Sequence, residues 1–146
     1  MKTTIIAALM LSLPLLGFAQ QRGGTSKLFT YQYTIDDLPN GLRLVTIPTD
    51  YPNLVALYVV VSAGSRNEIE AGRSGYAHFF EHIMFRGSEN FPPERREEIF
   101  KRAGAETNAY TSDDRTVYHA TFSKEDLDQI MQGEADRFLR LKYSPE

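Results

Sequence analysis

The sequence predicts an α+β fold, because strand-like runs and amphipathic helical segments both occur and neither kind dominates. Runs rich in Val, Ile, Phe, Tyr and Thr are bounded by turn residues, whereas other segments carry apolar residues on one helical side. The chain has 146 residues, of which 42% are hydrophobic and 24% are charged, as is usual for globular proteins. This length allows one domain at most, and this composition argues against a disordered, collagen-like or coiled-coil chain.

Charge and cysteine content narrow the classes of function. Sixteen Lys and Arg against nineteen Asp and Glu give a net charge of −3, so we expect no nucleic-acid partner. The chain contains no cysteine, which excludes disulfides, thiolate zinc sites and cysteine nucleophiles. Any metal must therefore be held by His, Asp or Glu.

The N-terminus has the pattern of a secretory signal. Lys2 precedes the apolar run Ile5–Phe18, and small residues follow, so we expect residues 1–19 to be a signal peptide cleaved after Ala19. The alternative is an uncleaved N-terminal anchor. Polar, Gly-rich residues 20–27 are predicted to be a flexible mature N-terminus. We therefore expect an exported protein, periplasmic or secreted, with no stable membrane span after cleavage.

The first folded elements are predicted to be strands. Leu28–Ile35 is rich in Phe, Tyr and Thr, and Leu42–Ile47 follows the turn residues Asn40 and Gly41, which together indicate a hairpin. Leu54–Ser62 is a continuous apolar run. It is typical of a central strand that is buried on both faces.

Helices and two further strands follow. One helix is predicted from an N-cap at Ser74 to Arg86, and a second from Pro92 to about Ala103. A final helix is predicted to begin at the N-cap Ser123 and to end near Lys142. Strands are predicted at Thr107–Thr111 and Thr116–Phe122. The final helix should turn one apolar face to the core, formed by Leu127, Ile130, Met131, Ala135, Phe138 and Leu139.

The last residues, Ser144, Pro145 and Glu146, have the pattern of a helix start. A natural domain rarely stops at the first turn of a helix. We therefore expect the chain to be an N-terminal fragment, with residues 28–146 forming a domain truncated at its C-terminus.

The segment whose side chains are most suited to catalysis or metal binding is the first predicted helix. His78, Glu81 and His82 lie on one face of that helix, and the rest of Phe79–Phe85 is apolar. A helix that is apolar all round belongs in a protein interior, where an unpaired carboxylate is unstable. A bound cation on this face removes the problem, since residues i and i+4 are about 6 Å apart and both imidazoles can reach one metal.

The order His-x-x-Glu-His is the inverted zinc-peptidase motif. Zinc held by two His, one carboxylate and a water is a common catalytic arrangement, and Glu81 could accept a proton from that water. The alternative is structural: His78 and His82 are core histidines bonded to carbonyl groups, and Glu81 belongs to a buried ion pair.

Beyond this motif, the sequence resembles the insulinase, or pitrilysin-like, family of zinc metallopeptidases. The resemblance implies a mainly antiparallel mixed sheet covered by helices on one face, here as an incomplete peptidase domain. It also implies a second homologous domain, in the same or another chain, that closes with the first around a peptide substrate. The segments that carry the resemblance are Leu38–Arg43, Ala63–Glu68, Gly75–Phe85, Gly87–Ser88, Asn108–Thr111 and Thr116–Tyr118.

The resemblance also implies roles for particular residues. His78 and His82 match ligands of a single zinc ion, Glu81 matches the general base, and Asn108 and Ala109 match edge-strand positions that pair with substrate backbone. For Asn108 the alternative is a polar strand residue near a turn. The third zinc ligand of the family, a Glu on a later helix, is expected beyond the end of this sequence. Acids that could substitute by chemistry alone are Glu106, Asp113, Asp114, Glu134 and Asp136, whereas His119 is predicted to be structural.

The function implied is that of a zinc-dependent endopeptidase that hydrolyses peptides or short unfolded polypeptides. This chain alone is expected to be nearly inactive, because two His coordinate zinc incompletely. The alternatives are a non-catalytic structural or regulatory subunit, a metal-binding module without hydrolysis, or a binding domain of the same fold.

Overall fold

The computed structural model describes residues 22–24, 29–72 and 74–142, and the chain divides into two compact units between Asp50 and Tyr51. The predicted signal peptide, residues 1–19, lies outside the described residues. Of the predicted flexible segment 20–27, the structure describes only a short strand at residues 22–24. The elements are β1 (Arg22–Gly24), β2 (Tyr33–Asp37), β3 (Arg43–Thr46), β4 (Leu54–Val61), α1 (Tyr76–Ile83), α2 (Pro93–Arg102), β5 (Glu106–Thr111), β6 (Thr116–Ser123) and α3 (Leu127–Leu139).

The first unit contains an antiparallel sheet in the order β1-β2-β3. The predicted hairpin is present: Asn40 Oδ1 accepts a hydrogen bond from the Leu42 amide at 3.1 Å, and Gly41 supplies a positive φ of 88°. β2 continues to Asp37, although an earlier break was predicted. The reason is the register, which places Asp37 opposite Arg43, where their side chains form an ion pair of 2.6 Å.

The second unit packs helices on one face of an antiparallel sheet in the order β4-β6-β5. This confirms the α+β prediction, and the strand pairs in the described part of the chain are antiparallel. The core lies between the sheet and the helices and contains Phe91, Ile99, Phe100, Ala103, Ala120, Phe122 and Ile130. No helix in the described ranges is both long and apolar enough to cross a membrane.

The prediction that β4 is a central strand buried on both faces is wrong. In the described residues β4 lies at one end of the order β4-β6-β5. Exposed and half-buried residues alternate along it, and Tyr58 and Val60 are 61% and 58% exposed. Val55 and Leu57 pack against the core, whereas Tyr58 stacks on the imidazole of His119 on the opposite face. An apolar run is therefore compatible with a strand whose second face is uncovered in the described residues.

The core face predicted for α3 is also largely wrong. Ile130 is buried as expected, but Leu139 is 74% exposed, and the inner stripe continues through Gly133, Glu134 and Arg137. Gly133 lies directly against the ring of Phe91, where an added Cβ would be 3.4 Å from a ring carbon. A glycine contact and a buried ion pair, rather than the apolar residues, thus determine which side of α3 faces inward. The predicted core residues Leu127, Met131, Ala135 and Phe138 are exposed.

The buried ion pair extends to a second arginine. The Glu134 carboxylate accepts hydrogen bonds from Arg137 and, at 3.3 Å, from Arg96 of α2. The guanidinium of Arg96 lies 4.0 Å from the ring centroid of Phe100, and that of Arg137 lies 4.4 Å from the ring of Tyr118. Burial lowers the pKa of Arg137 from its ordinary value, and Glu134 opposes that shift. This cluster fixes α3 against α2.

Candidate active site

The helix that carries the predicted motif, α1, is shorter than predicted. It begins after Gly75, whose φ of 93° is in the left-handed region that favours glycine, and not at a Ser74 cap. It ends at Ile83 rather than near Arg86. One face carries the motif, and the opposite face inserts Ile83 into the interior.

The carboxylate that caps α1 comes from outside the helix. Both oxygens of Glu68 accept backbone hydrogen bonds, one from the Gly75 amide at 2.6 Å and one from the Ala77 amide at 2.7 Å. These two hydrogen bonds hold the pKa of Glu68 below its ordinary value, and the bond from Ala77 has the larger effect. Glu68 therefore replaces the side-chain cap that Gly75 cannot supply.

The two histidines of the motif converge in space. The Nε2 atoms of His78 and His82 are 3.1 Å apart, and both side chains are exposed. Two nitrogen ligands of a tetrahedral zinc, each at about 2.0–2.1 Å from the metal, are about 3.3 Å apart, so the pair fits one zinc ion. The exposure of both rings argues against the alternative of core histidines. The same region departs from the predicted interior helix, since Phe79 and Phe80 are 54% and 57% exposed.

Glu81 is the buried member of the motif, with only 7% of its surface exposed. Its Oε2 accepts a hydrogen bond of 2.6 Å from the Thr111 hydroxyl at the end of β5. The Thr111 hydroxyl oxygen also lies 3.3 Å from the hydroxyl oxygen of Thr116. The Thr116 hydroxyl donates a hydrogen bond of 3.0 Å to the carbonyl of Ala63. The alternative of a buried ion pair at Glu81 is therefore not what the structure describes, since the carboxylate bonds to a hydroxyl.

A cleft of about 400 Å³ opens between this face of α1 and the end of β5. His78 and Glu81 line it from the helix, Ala109 and Thr111 line it from the strand, and Asp113 also lines it. The cleft therefore brings one potential metal ligand, a carboxylate and a strand edge to one place, and the second potential ligand, His82, lies beside His78.

The strand on the other side of the cleft is at the edge of its sheet. Asn108 lies inside β5 opposite His119, and it is exposed. Its Oδ1 accepts a hydrogen bond of 2.9 Å from the amide of Ala109. A side chain of the strand thus occupies a backbone donor that a paired strand would otherwise use.

In the described ranges, no group of three or more His, Cys, Asp or Glu residues could hold a metal. Of the acids that could substitute by chemistry alone, Asp113 lines the cleft, but its carboxylate accepts a hydrogen bond of 3.1 Å from the Ser65 hydroxyl and pairs with Arg66. Asp114 pairs with Arg66 at 3.0 Å, Glu134 with two arginines, and Asp136 with Arg140 at 3.0 Å. Glu106 lies at the far end of β5 from Thr111.

Sequence reasoning missed two residues that hold the motif in place, Glu68 and Thr111. Glu68 falls within the segment Ala63–Glu68, which carried the family resemblance but no assigned role. Thr111 falls within the segment Asn108–Thr111, which also carried the resemblance without a role for this residue, and its partner Glu81 is thirty positions away. Only the fold reveals these two contacts.

Comparison with known proteins identifies the family to which this chain is similar. The profile of insulinase, peptidase family M16, matches residues 43–145. The probable zinc protease PqqL of Escherichia coli is 38% identical over 136 residues, which are 88% of this chain and 14% of that protein. A zinc protease of Rickettsia bellii is 34% identical over 104 residues, which are 71% of this chain and 25% of that protein.

A solved structure shares the fold. The crystal structure of a protease from Helicobacter pylori superposes with a TM-score of 0.73 and 32% identity, and it covers 78% of this chain and 27% of that one. The chain thus spans about a quarter or less of the curated relatives named above. With the inverted motif on α1, the matched profile and these relatives, the chain belongs to the insulinase family of peptidases, family M16.

Proposed function

We propose that this chain supplies the zinc-binding helix and the substrate strand of a zinc metalloendopeptidase that hydrolyses peptides or short unfolded polypeptides. The observation that carries this proposal is the convergence of the His78 and His82 Nε2 atoms, 3.1 Å apart, beside a cleft that His78 and Glu81 line. A non-catalytic subunit of the same fold has no need for these three side chains together.

The residues fit a zinc ion that the two imidazoles hold through Nε2. Zinc in this position would polarise a peptide carbonyl and make a water molecule more acidic. Glu81 is then the general base, which takes a proton from the water and later passes it to the leaving amine. The hydroxyl of Thr111 keeps one carboxylate oxygen engaged, so that the other can point to the reacting water. A third ligand has to come from outside the described residues.

Substrate would add to the sheet along β5. Pairing through backbone groups gives affinity with little demand on side-chain sequence, which suits peptides and unfolded segments. In this proposal Asn108 releases the amide of Ala109 when a substrate strand arrives. A second homologous domain, in the same or another chain, would close the cleft from the opposite side.

Export is part of this proposal. The N-terminal pattern of residues 1–19 supports it, and the solved Escherichia coli relative is described as a periplasmic protease. If export is correct, cell fractionation with mass spectrometry will find a mature protein that begins at Gln20. A cytoplasmic protein that retains Met1 or Lys2 would contradict it.

A chimera tests the catalytic proposal directly. The segment that matches the Escherichia coli protease replaces the corresponding part of that enzyme, which supplies the remaining ligand and domain. We expect zinc-dependent cleavage of an unfolded protein, loss of cleavage with retained zinc in Glu81→Gln, and near-normal activity in the control Glu98→Gln. Cleavage that survives Glu81→Gln would refute the assignment of the base, and a folded, zinc-loaded chimera without activity would favour a non-catalytic relative.

A further inference from the structure

We propose that Glu68 is a positioning residue of the metal site, which acts on His78 through the backbone of the first turn of α1. This inference rests on the proposed function, since it assumes that the two histidines hold zinc. Glu68 does not touch either imidazole. Its carboxylate accepts the amides of Gly75 and Ala77, and Ala77 directly precedes His78 in the chain.

The helix needs an external cap for a physical reason. The first amides of a helix have no partner within it, and Gly75 has no side chain with which to satisfy them. α1 also has only eight residues, which is too short to be stable without tertiary contacts. A carboxylate at the positive end of the helix satisfies two amides and interacts favourably with the helix dipole.

Glu68 is itself held by the sheet that forms the substrate side of the cleft. It follows a tight turn at Ser65–Asn67, in which the Glu68 amide donates to the Ser65 carbonyl at 3.1 Å. The amides of Ser65 and Arg66 donate to the carbonyls of Ser112 and Asp113, at 3.1 and 2.8 Å.

The approach of this turn to the sheet is very close. A Cβ on Gly64 would lie 2.2 Å from the Ser112 carbonyl oxygen, so only glycine fits. The chain from Gly64 to Glu68 therefore links the β5–β6 connection to the start of α1. One short segment thus fixes the histidines relative to the strand that carries Thr111.

The experiment compares Glu68→Gln and Glu68→Ala with Glu98→Gln, an exposed control on α2 that makes the same change of charge. The variants are made in the chimera with the Escherichia coli protease, which supplies the remaining ligand. Its zinc affinity is measured by competition with a chelating dye, at a temperature where circular dichroism shows every variant to be folded. We expect the dissociation constant to rise about tenfold in Glu68→Ala, less in Glu68→Gln, and not in the control.

Amide hydrogen exchange supplies a readout independent of zinc. The amides of Gly75 and Ala77 should exchange faster in both Glu68 variants, whereas His78→Ala should lose zinc and keep both amides protected. If Glu68 only stabilises the fold, its substitution will lower the unfolding temperature and leave the zinc affinity of the folded protein unchanged. That result would overturn the inference.

The two proposals fail differently. A wild-type chimera that binds no zinc would refute the proposed function. A wild-type chimera that binds zinc, with unchanged affinity in Glu68→Ala, would refute the positioning role alone. Unchanged exchange at Gly75 and Ala77 in that variant would refute the capping contact on which the role depends.

Discussion

Replacing Glu134 by Gln should destabilise the fold far more than a surface change of charge. The Glu134 side chain is 6% exposed and is shared by two arginines whose side chains are 11% and 3% exposed, Arg96 and Arg137. Two largely buried cations therefore share one anion in the described residues. Removing that anion leaves two like charges close together in a site that is largely closed to water.

The size of the effect follows from these contacts. Removing one partner of a buried ion pair costs about 3–5 kcal/mol of unfolding free energy. Gln keeps one acceptor for one arginine, and the rings of Phe85 and Tyr118 continue to stabilise Arg137, so we expect the lower end, about 3 kcal/mol. For a domain of this size this corresponds to a fall of about 10 °C in the unfolding temperature.

Urea unfolding followed by circular dichroism measures the change, with Glu98→Gln as the matched control at an exposed position of α2. The control should stay within about 0.5 kcal/mol of the wild type. A loss below about 1 kcal/mol in Glu134→Gln would show that the cluster is solvated or otherwise compensated, and would refute this account of how α3 is held.

Three further predictions concern the site and its supports. In the active chimera, Thr111→Val should lower kcat by about tenfold with zinc content unchanged, because Glu81 loses the hydrogen bond from the Thr111 hydroxyl, and Thr111→Ser should restore most of it; equal kcat in both variants would contradict this role. Asn108→Ala should lower KM for an extended peptide and leave kcat nearly unchanged, measured by initial rates, because the amide of Ala109 no longer has to be released from the Asn108 side chain; a raised KM or a pure kcat effect would contradict this role. The hydrogen bond from Ser88, followed by those from Asn90 and Arg140, holds the pKa of Asp136 well below its usual range. The contribution of the ionised Asp136 to stability is therefore fully present above about pH 4 and is lost as the pH falls further. In urea unfolding, the difference in unfolding free energy between wild type and Asp136→Asn should therefore become smaller in acid. A difference that stays constant with pH would contradict this prediction.

The sequence predicted the motif face well because helical periodicity is local. His78, Glu81 and His82 share a side of any helix at that spacing, and the structure adds that their imidazole nitrogens meet. The supporting residues were not predictable, because their partners are distant in the chain. Glu68 reaches the helix across a loop, and Thr111 reaches Glu81 from another strand.

The wrong predictions about β4 and α3 have the same origin. An apolar run such as β4 does not reveal which of its faces another element covers. The prediction of burial on both faces therefore fails at Tyr58 and Val60, which no other element covers in the described residues. In α3, the choice of inner face depends on Phe91 lying against Gly133 and on the arginines around Glu134. Neither contact is visible in the apolar pattern of the helix itself.

Zinc titration followed by long-range ¹H–¹⁵N NMR of the imidazole rings tests the central claim most directly. The chain has three histidines, and His119, which stacks on Tyr58, serves as an internal control. We predict that the Nε2 resonances of His78 and His82 shift together as zinc is added, whereas those of His119 do not. Zinc that leaves both motif histidines unshifted, or that shifts all three alike, would contradict a metal site on α1.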